Sequence, residues 1–187
     1  MEKMPSPELR IIAGELKNQK YFSPNTPATH PMSEKLKGAL FNTLGNIEGL
    51  SVLDAFSGSG GIGLEAASRG AAKVTFIESA PVAQKAIADN ISKLKLDGRV
   101  HMLRMSVQAW LKMQLEPSFN IIIADPPYDK QQTLLLRDLA AFLVPGGIFV
   151  LSLPATTQAL DFPEMETVVD KNYGNSRLVF YRKSVAL

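Results

Sequence analysis

Residues 119–128 read Phe119-Asn120-Ile121-Ile122-Ile123-Ala124-Asp125-Pro126-Pro127-Tyr128. An apolar run that stops abruptly at a carboxylate, two prolines and an aromatic ring is the pattern of a central parallel strand, buried on both faces. Such a strand delivers Asp125 to the carboxyl edge of the sheet, where open α/β folds place their ligands. Pro126 and Pro127 have no backbone donor. The turn therefore offers carbonyl oxygens and the Asp125 carboxylate as acceptors, with the Tyr128 ring as a flat surface beside them. That set suits a planar molecule carrying an NH2 group.

Outward from this strand the chain alternates apolar runs with helix-period segments, which predicts a doubly wound, mostly parallel α/β sheet. Strands are expected near 51–55, 73–78, 99–104, 119–124 and 147–152. Helices are expected over Ile62–Arg69, Pro81–Leu94, Val107–Leu115 and Gln131–Leu143, the last stopped by Pro145-Gly146-Gly147. From Glu164 to Lys183 the chain reads as two strands around Tyr173-Gly174-Asn175-Ser176, an antiparallel pair at the far edge of the sheet. The N-terminal region differs in kind. Residues 1–8 read as a disordered tail, and 9–48 as an appendage made of a hairpin, a loop from Pro24 to Pro31, and a helix capped by Ser33. In that helix Leu36, Leu40, Phe41 and Leu44 form an apolar stripe, with Lys35 and Lys37 off it. Residues 49–187 are expected to form the main domain, the one that would carry any catalysis.

Composition sets outer limits. A chain of 187 residues suffices for one complete α/β domain, and its apolar and charged fractions, 45% and 20%, are those of a soluble globular protein. Cysteine is absent, which removes disulfides, thiolate nucleophiles and Cys-ligated zinc and favours a reducing, cytoplasmic location. Two histidines, His30 and His101, are too few for a His-rich metal site, so no metal is expected. The formal net charge of +2 does not announce a nucleic-acid partner, and any basic footprint must be local. Between Leu9 and Leu44 the cations Arg10, Lys17, Lys20, Lys35 and Lys37 outnumber the acids Glu15 and Glu34.

A second motif, Val52-Leu53-Asp54-Ala55-Phe56-Ser57-Gly58-Ser59-Gly60-Gly61-Ile62-Gly63, runs from a strand through a glycine turn into a helix. Gly58-x-Gly60-x-x-Gly63 satisfies the dinucleotide fingerprint. Glu78, at the end of the next strand, satisfies the acid that holds ribose hydroxyls. Two cofactor classes therefore remain, a nicotinamide dinucleotide and S-adenosylmethionine. Asp54 tips the choice, because a carboxylate there attracts a sulfonium and an ammonium but repels a pyrophosphate.

Taken in order, Asp54-Ala55-Phe56-Ser57-Gly58-Ser59-Gly60 and Asp125-Pro126-Pro127-Tyr128 resemble a class I S-adenosylmethionine-dependent amino-methyltransferase. Arg10-Ile11-Ile12-Ala13-Gly14 and Thr29-His30-Pro31-Met32-Ser33-Glu34-Lys35-Leu36-Lys37-Gly38-Ala39-Leu40-Phe41-Asn42-Thr43-Leu44 resemble the leader of the RsmD family, which methylates the exocyclic N2 of a guanine in bacterial small-subunit ribosomal RNA. The resemblance runs from Arg10 to about Lys183. It implies that Asp54, Phe56, Ser57, Gly58 and Gly60 wrap the methionine end of S-adenosylmethionine, that Glu78 holds the ribose, and that Ser106 and Val107 face the adenine. Asp125 would serve both cofactor and catalysis, with Pro126, Pro127 and Tyr128 completing the catalytic turn and Tyr128 stacking on the guanine.

The same resemblance makes Arg10, Lys17, Lys20, His30, Lys35 and Lys37 the expected RNA contacts. The expected partner is ribosomal RNA in the small subunit or an assembly intermediate, met by a monomer away from any membrane. The chain departs from the family at His30 (commonly Arg), Met32 (commonly Thr) and Ser106 (often Asp or Asn), and in lacking an acid at Leu151-Ser152-Leu153-Pro154. Alternatives of other kinds are adenine-N6 or other amino methylation of DNA or RNA, a nicotinamide-dependent oxidoreductase, and a noncatalytic RNA-binding relic.

Overall fold

The computed structural model describes residues 7–24, 26, 31–113, 116, 118–127 and 132–185. In chain order these form β1 (Glu8–Arg10), β2 (Lys20–Phe22), α1 (Glu34–Leu44), β3 (Ser51–Asp54), α2 (Gly61–Ser68), β4 (Lys73–Glu78) and α3 (Pro81–Lys93). There follow β5 (Val100–Arg104), α4 (Val107–Leu111), β6 (Phe119–Ala124), α5 (Gln132–Ala140), β7 (Leu143–Pro154), β8 (Met165–Tyr173) and β9 (Ser176–Lys183).

Seven strands make one sheet in the order β5-β4-β3-β6-β7-β9-β8, parallel as far as β7 and antiparallel beyond it. The predicted α/β class and the closing antiparallel pair are both present, with the tight turn at Gly174-Asn175 placing β9 inside and β8 at the edge. After β3 the chain winds outward through β4 and β5, then returns to β6 on the other side of β3. The sheet therefore has its topological switch point between β3 and β6, where a crevice opens at the carboxyl edge.

Strand pleating divides the core into two layers. Val52, Ile121, Ile123 and Val150 face one side with Leu64, Ala67, Ile87 and Ile91 of α2 and α3. Leu53, Ile122, Phe149 and Leu151 face the other with Val107 and Trp110 of α4 and Leu136 and Leu139 of α5. The N-terminal region packs on the first side, where Ile11, Tyr21, Leu36, Leu40 and Phe41 share a single cluster with the sheet. Ser33 caps α1 as expected, its side chain accepting from Leu36 N at 3.2 Å.

Three expectations change. Strand β1 starts at Glu8, inside the stretch expected to be a tail, and Ser23 N donates to Pro7 O at 2.9 Å. Helix α4 closes at Leu111, while Leu115, the expected end, lies outside the described residues. Helix α5 ends at Ala140, so Pro145-Gly146-Gly147 stops no helix. It sits in a bulge within β7, where the register passes from Phe119↔Leu143 to Ile121↔Ile148 and Gly146 takes φ 76°. A bulge tolerates a proline without a donor and a residue with positive φ, which a regular ladder does not.

Candidate active site

Parallel pairing of Leu53 with Ile122 and Asp54 with Ile123 brings the carboxyl ends of β3 and β6 side by side. Asp125 therefore leaves β6 next to the turn that leaves β3. That turn is tied down from within. Ser57 donates through Oγ to Asp54 O at 2.8 Å and through its amide to Ile77 O at 3.2 Å, which fixes the glycine loop to the end of β4. Glu78, at that strand end, accepts from Gly58 N at 2.8 Å and from Ala80 N at 2.7 Å.

The strand pleat turns Asp54 toward α2, away from the crevice. Its carboxylate is 1% exposed and accepts from Gly63 N at 2.9 Å. Burial pushes its pKa up to about 7 despite that hydrogen bond, and the negative charges of Asp125 and Glu78 add to the rise. Asp54 thus anchors the loop from beneath and does not border the cavity. This corrects the reading in which it meets a cationic ligand directly.

The cavity at the switch point has a volume of ≈ 850 Å³. Of the sequence-expected residues, it brings together Phe56, Ser57 and Gly58 of the turn, Glu78, Ser106 and Val107, and Asp125, Pro126 and Pro127. Gly60 lies behind this surface. It holds the left-handed N-cap position of α2 at φ 76°, and a Cβ there would come 3.0 Å from Ile87 Cγ1. Ser106 caps α4, accepting from Ala109 N at 3.1 Å. Tyr128 and His30 lie outside the described residues.

Amide hydrogens in this turn face protein acceptors. Gly58 donates to Glu78, Gly60 to Ser57 O, Gly61 to Ser59 Oγ and Gly63 to Asp54. A pyrophosphate would need those donors, and two of them are already held by carboxylates. The cavity wall contributes the carboxylates of Glu78 and Asp125. Such a surface fits a positively charged ligand that hydrogen-bonds through hydroxyl and amino groups, and it fits a dinucleotide poorly.

The N-terminal region supplies one wall of the cavity through Tyr21, Met32, Leu36 and Lys37, a contribution that the sequence reading did not anticipate. Lys37 is the sharpest correction. Expected off the apolar stripe and on RNA, it is 2% exposed, donates to Arg10 O at 3.2 Å and bonds Tyr21 Oη at 3.3 Å. Burial lowers its pKa, and the facing Glu65 carboxylate works against that. Glu65, also missed, is fully buried in α2 and accepts from Ile12 N at 2.9 Å and Ala13 N at 3.0 Å, fastening the leader to that helix. Arg10, Lys17, Lys20 and Lys35 are exposed, with Arg10 paired to Glu34 and Lys20 to Glu8.

A family profile described as conserved hypothetical protein 95 matches residues 9–182. The chain belongs to this family, that of the RsmD-type methyltransferases. A candidate rRNA methyltransferase of Bacillus subtilis, YlbH, is 30% identical over 187 residues, 94% of this chain and 99% of the relative. Ribosomal RNA small subunit methyltransferase D of Buchnera aphidicola subsp. Baizongia pistaciae is 34% identical over 165 residues, 87% of this chain and 79% of the relative. Among solved structures, yhhF of Escherichia coli, a candidate methyltransferase, superposes with a TM-score of 0.83 at 25% identity, covering 95% of this chain and 99% of that one. In this RsmD-family chain, Met32, Leu36 and Lys37 of the leader line the same cavity as the two turns.

Proposed function

We propose that this chain transfers a methyl group from S-adenosylmethionine to the exocyclic N2 amine of a guanine in small-subunit ribosomal RNA. One observation carries the reading: the acceptor turn after β6 and the glycine turn after β3 open into one cavity, in a chain of the RsmD family. The relatives named as ribosomal RNA methyltransferases support the substrate class. The N2 position rests on the leader and on Asp125-Pro126-Pro127-Tyr128.

S-adenosylmethionine supplies an electrophilic methyl group on a sulfonium. The protein's task is to make an aromatic amine nucleophilic and to hold it in line. An exocyclic amine has its lone pair delocalised into the ring. The Asp125 carboxylate and the Pro126 carbonyl, both acceptors, draw the two amine hydrogens out of the ring plane and localise the lone pair on nitrogen. As the N–C bond forms and the C–S bond breaks, the nitrogen loses one hydrogen as a proton, which the adjacent Asp125 carboxylate accepts or passes to water. Tyr128 provides the face on which an extruded guanine stacks, and stacking of this kind is worth about 1–3 kcal/mol per base. Glu78, oriented by two backbone amides, keeps lone pairs available for the ribose hydroxyls.

The test is transfer from labelled S-adenosylmethionine to small subunits isolated from cells lacking this protein, followed by nucleoside mass analysis, with Asp125→Ala as control. N2-methylguanosine made only by the intact enzyme is the expected outcome. N6-methyladenosine, or label on DNA alone, would overturn the substrate assignment.

A further inference from the structure

The outward face of the N-terminal hairpin carries an arrangement that the cavity does not use. Glu8 pairs with Phe22 and Arg10 with Lys20, so these four side chains share one face of the ribbon, opposite the buried Tyr21. Phe22 is 41% exposed, yet it is held firmly. Asn90 of α3, itself 1% exposed, accepts from Phe22 N at 2.9 Å and donates to Phe22 O at 2.8 Å, so a single buried amide satisfies both backbone groups. Lys93, three residues further along α3, places its ammonium 4.5 Å from the Phe22 ring centroid and donates to Lys20 O at 2.9 Å. Among the described residues no carboxylate pairs with Lys93.

A clamped aromatic ring left in water gains the fold little, since an exposed cation–π contact contributes only about 0.5–1 kcal/mol. The same pieces match what a single-stranded nucleotide requires, a flat surface for the base and a cation for its phosphate. Arg10, Lys20 and Lys93 face two acids here, Glu8 and Glu34, so the local surface is positive. A protein interface needs a broad apolar centre, whereas this face of the hairpin offers one ring ringed by charges. Tyr21 lines the cavity from the inner face of the hairpin, so this surface is the outside of the same ribbon that walls the crevice.

We propose that Phe22 and Lys93 form a subsite for one nucleotide of a single-stranded RNA segment flanking the methylated base, Phe22 stacking on the base and Lys93 answering its phosphate. The subsite rests on the reading of RNA as substrate and extends it beyond the basic residues of the leader to α3.

Binding of a short, fluorescently labelled single-stranded RNA tests it in the full chain, alongside calorimetric binding of S-adenosylmethionine and methylation of small subunits. Phe22→Ala is expected to weaken RNA binding about tenfold or more. Phe22→Trp should restore it, and Lys93→Gln should reduce the salt dependence, with S-adenosylmethionine affinity unchanged throughout. RNA affinity and salt slope equal to wild type in both Phe22→Ala and Lys93→Gln overturn the subsite. Should Phe22→Ala fail to fold, seen as lost S-adenosylmethionine binding, the surface variant Lys93→Gln decides by the same criteria. Impaired methylation of whole subunits with intact binding of free RNA would assign the surface to a ribosomal protein and also overturn it. A wild-type chain that binds RNA through Phe22 but transfers no methyl group would leave the subsite standing and sink the proposed reaction instead.

Discussion

Lys37 Nζ and Glu65 Oε2 face each other at 3.7 Å inside the protein, with side chains 2% and 0% exposed. The pair joins α1 of the leader to α2 behind the glycine turn. Glu65 keeps the Arg69 guanidinium at 2.9 Å and the Ile12 and Ala13 amides as partners, so Lys37→Met removes one charged contact of several and is expected to cost about 1.5–3 kcal/mol, or roughly 3–12 °C in Tm. Differential scanning calorimetry measures this directly. The salt dependence of RNA binding should stay that of wild type, and a reduced slope would return Lys37 to the RNA surface.

Gly63 sits where α2 meets β4, and a Cβ on it would lie 2.2 Å from Phe76 Cε1 and 2.5 Å from Phe76 Cζ. Phe76 is fully buried and has nowhere to go. Gly63→Ala should therefore destabilise the protein by about 1–3 kcal/mol in urea unfolding. Gly98 has open space around its Cβ position, so Gly98→Ala serves as the neutral control.

How much of this was legible in the sequence depends on the range of the contact. The strand 119–124, the glycine turn and Pro81 at the start of α3 declare themselves through neighbours a few residues away. Lys37 was misplaced by its residue type, because helical spacing of three, four and seven residues to Leu40, Phe41 and Leu44 puts this position on the buried stripe itself. Its partner Glu65 arrives only when α2 packs under the leader. Asp54 was correctly singled out as a charge at a strand end. Its direction, however, depends on the pleat and on the Gly63 amide nine residues on, so the sequence showed that it matters without showing that it faces away from the cavity. Pro145-Gly146-Gly147 reads equally well as a helix stop or a bulge, and only the pairing of Phe119 with Leu143 separates the two.

The raised pKa of Asp54 makes stability depend on pH. With its native value about 7 and its ordinary value 3.8, the folded protein holds a proton that the unfolded chain has released between those limits. Stability from this group is therefore greatest below pH 4 and falls as pH rises toward 7. Asp54→Asn keeps an acceptor for Gly63 N and removes the titration. Its Tm should fall less than that of wild type between pH 5 and pH 8, and parallel curves for the two proteins would refute the burial argument.

Glu78 is oriented by Gly58 N and Ala80 N, each at hydrogen-bond distance from a different carboxylate oxygen. Glu78→Gln keeps the shape but turns one acceptor into an NH2 donor, which then points at an amide hydrogen or at a ribose hydroxyl it cannot receive in the same way. A charged hydrogen bond lost in this manner is worth about 1.5–3 kcal/mol, so the Kd for S-adenosylmethionine should rise roughly 10- to 100-fold. Single-stranded RNA should bind as it does to wild type, because Phe22 of the hairpin and Lys93 of α3 do not line the cavity that Glu78 borders. Titration calorimetry with each ligand separates the two effects. An unchanged Kd would mean that the carboxylate serves only to shape the turn, leaving the ribose to be held by other groups.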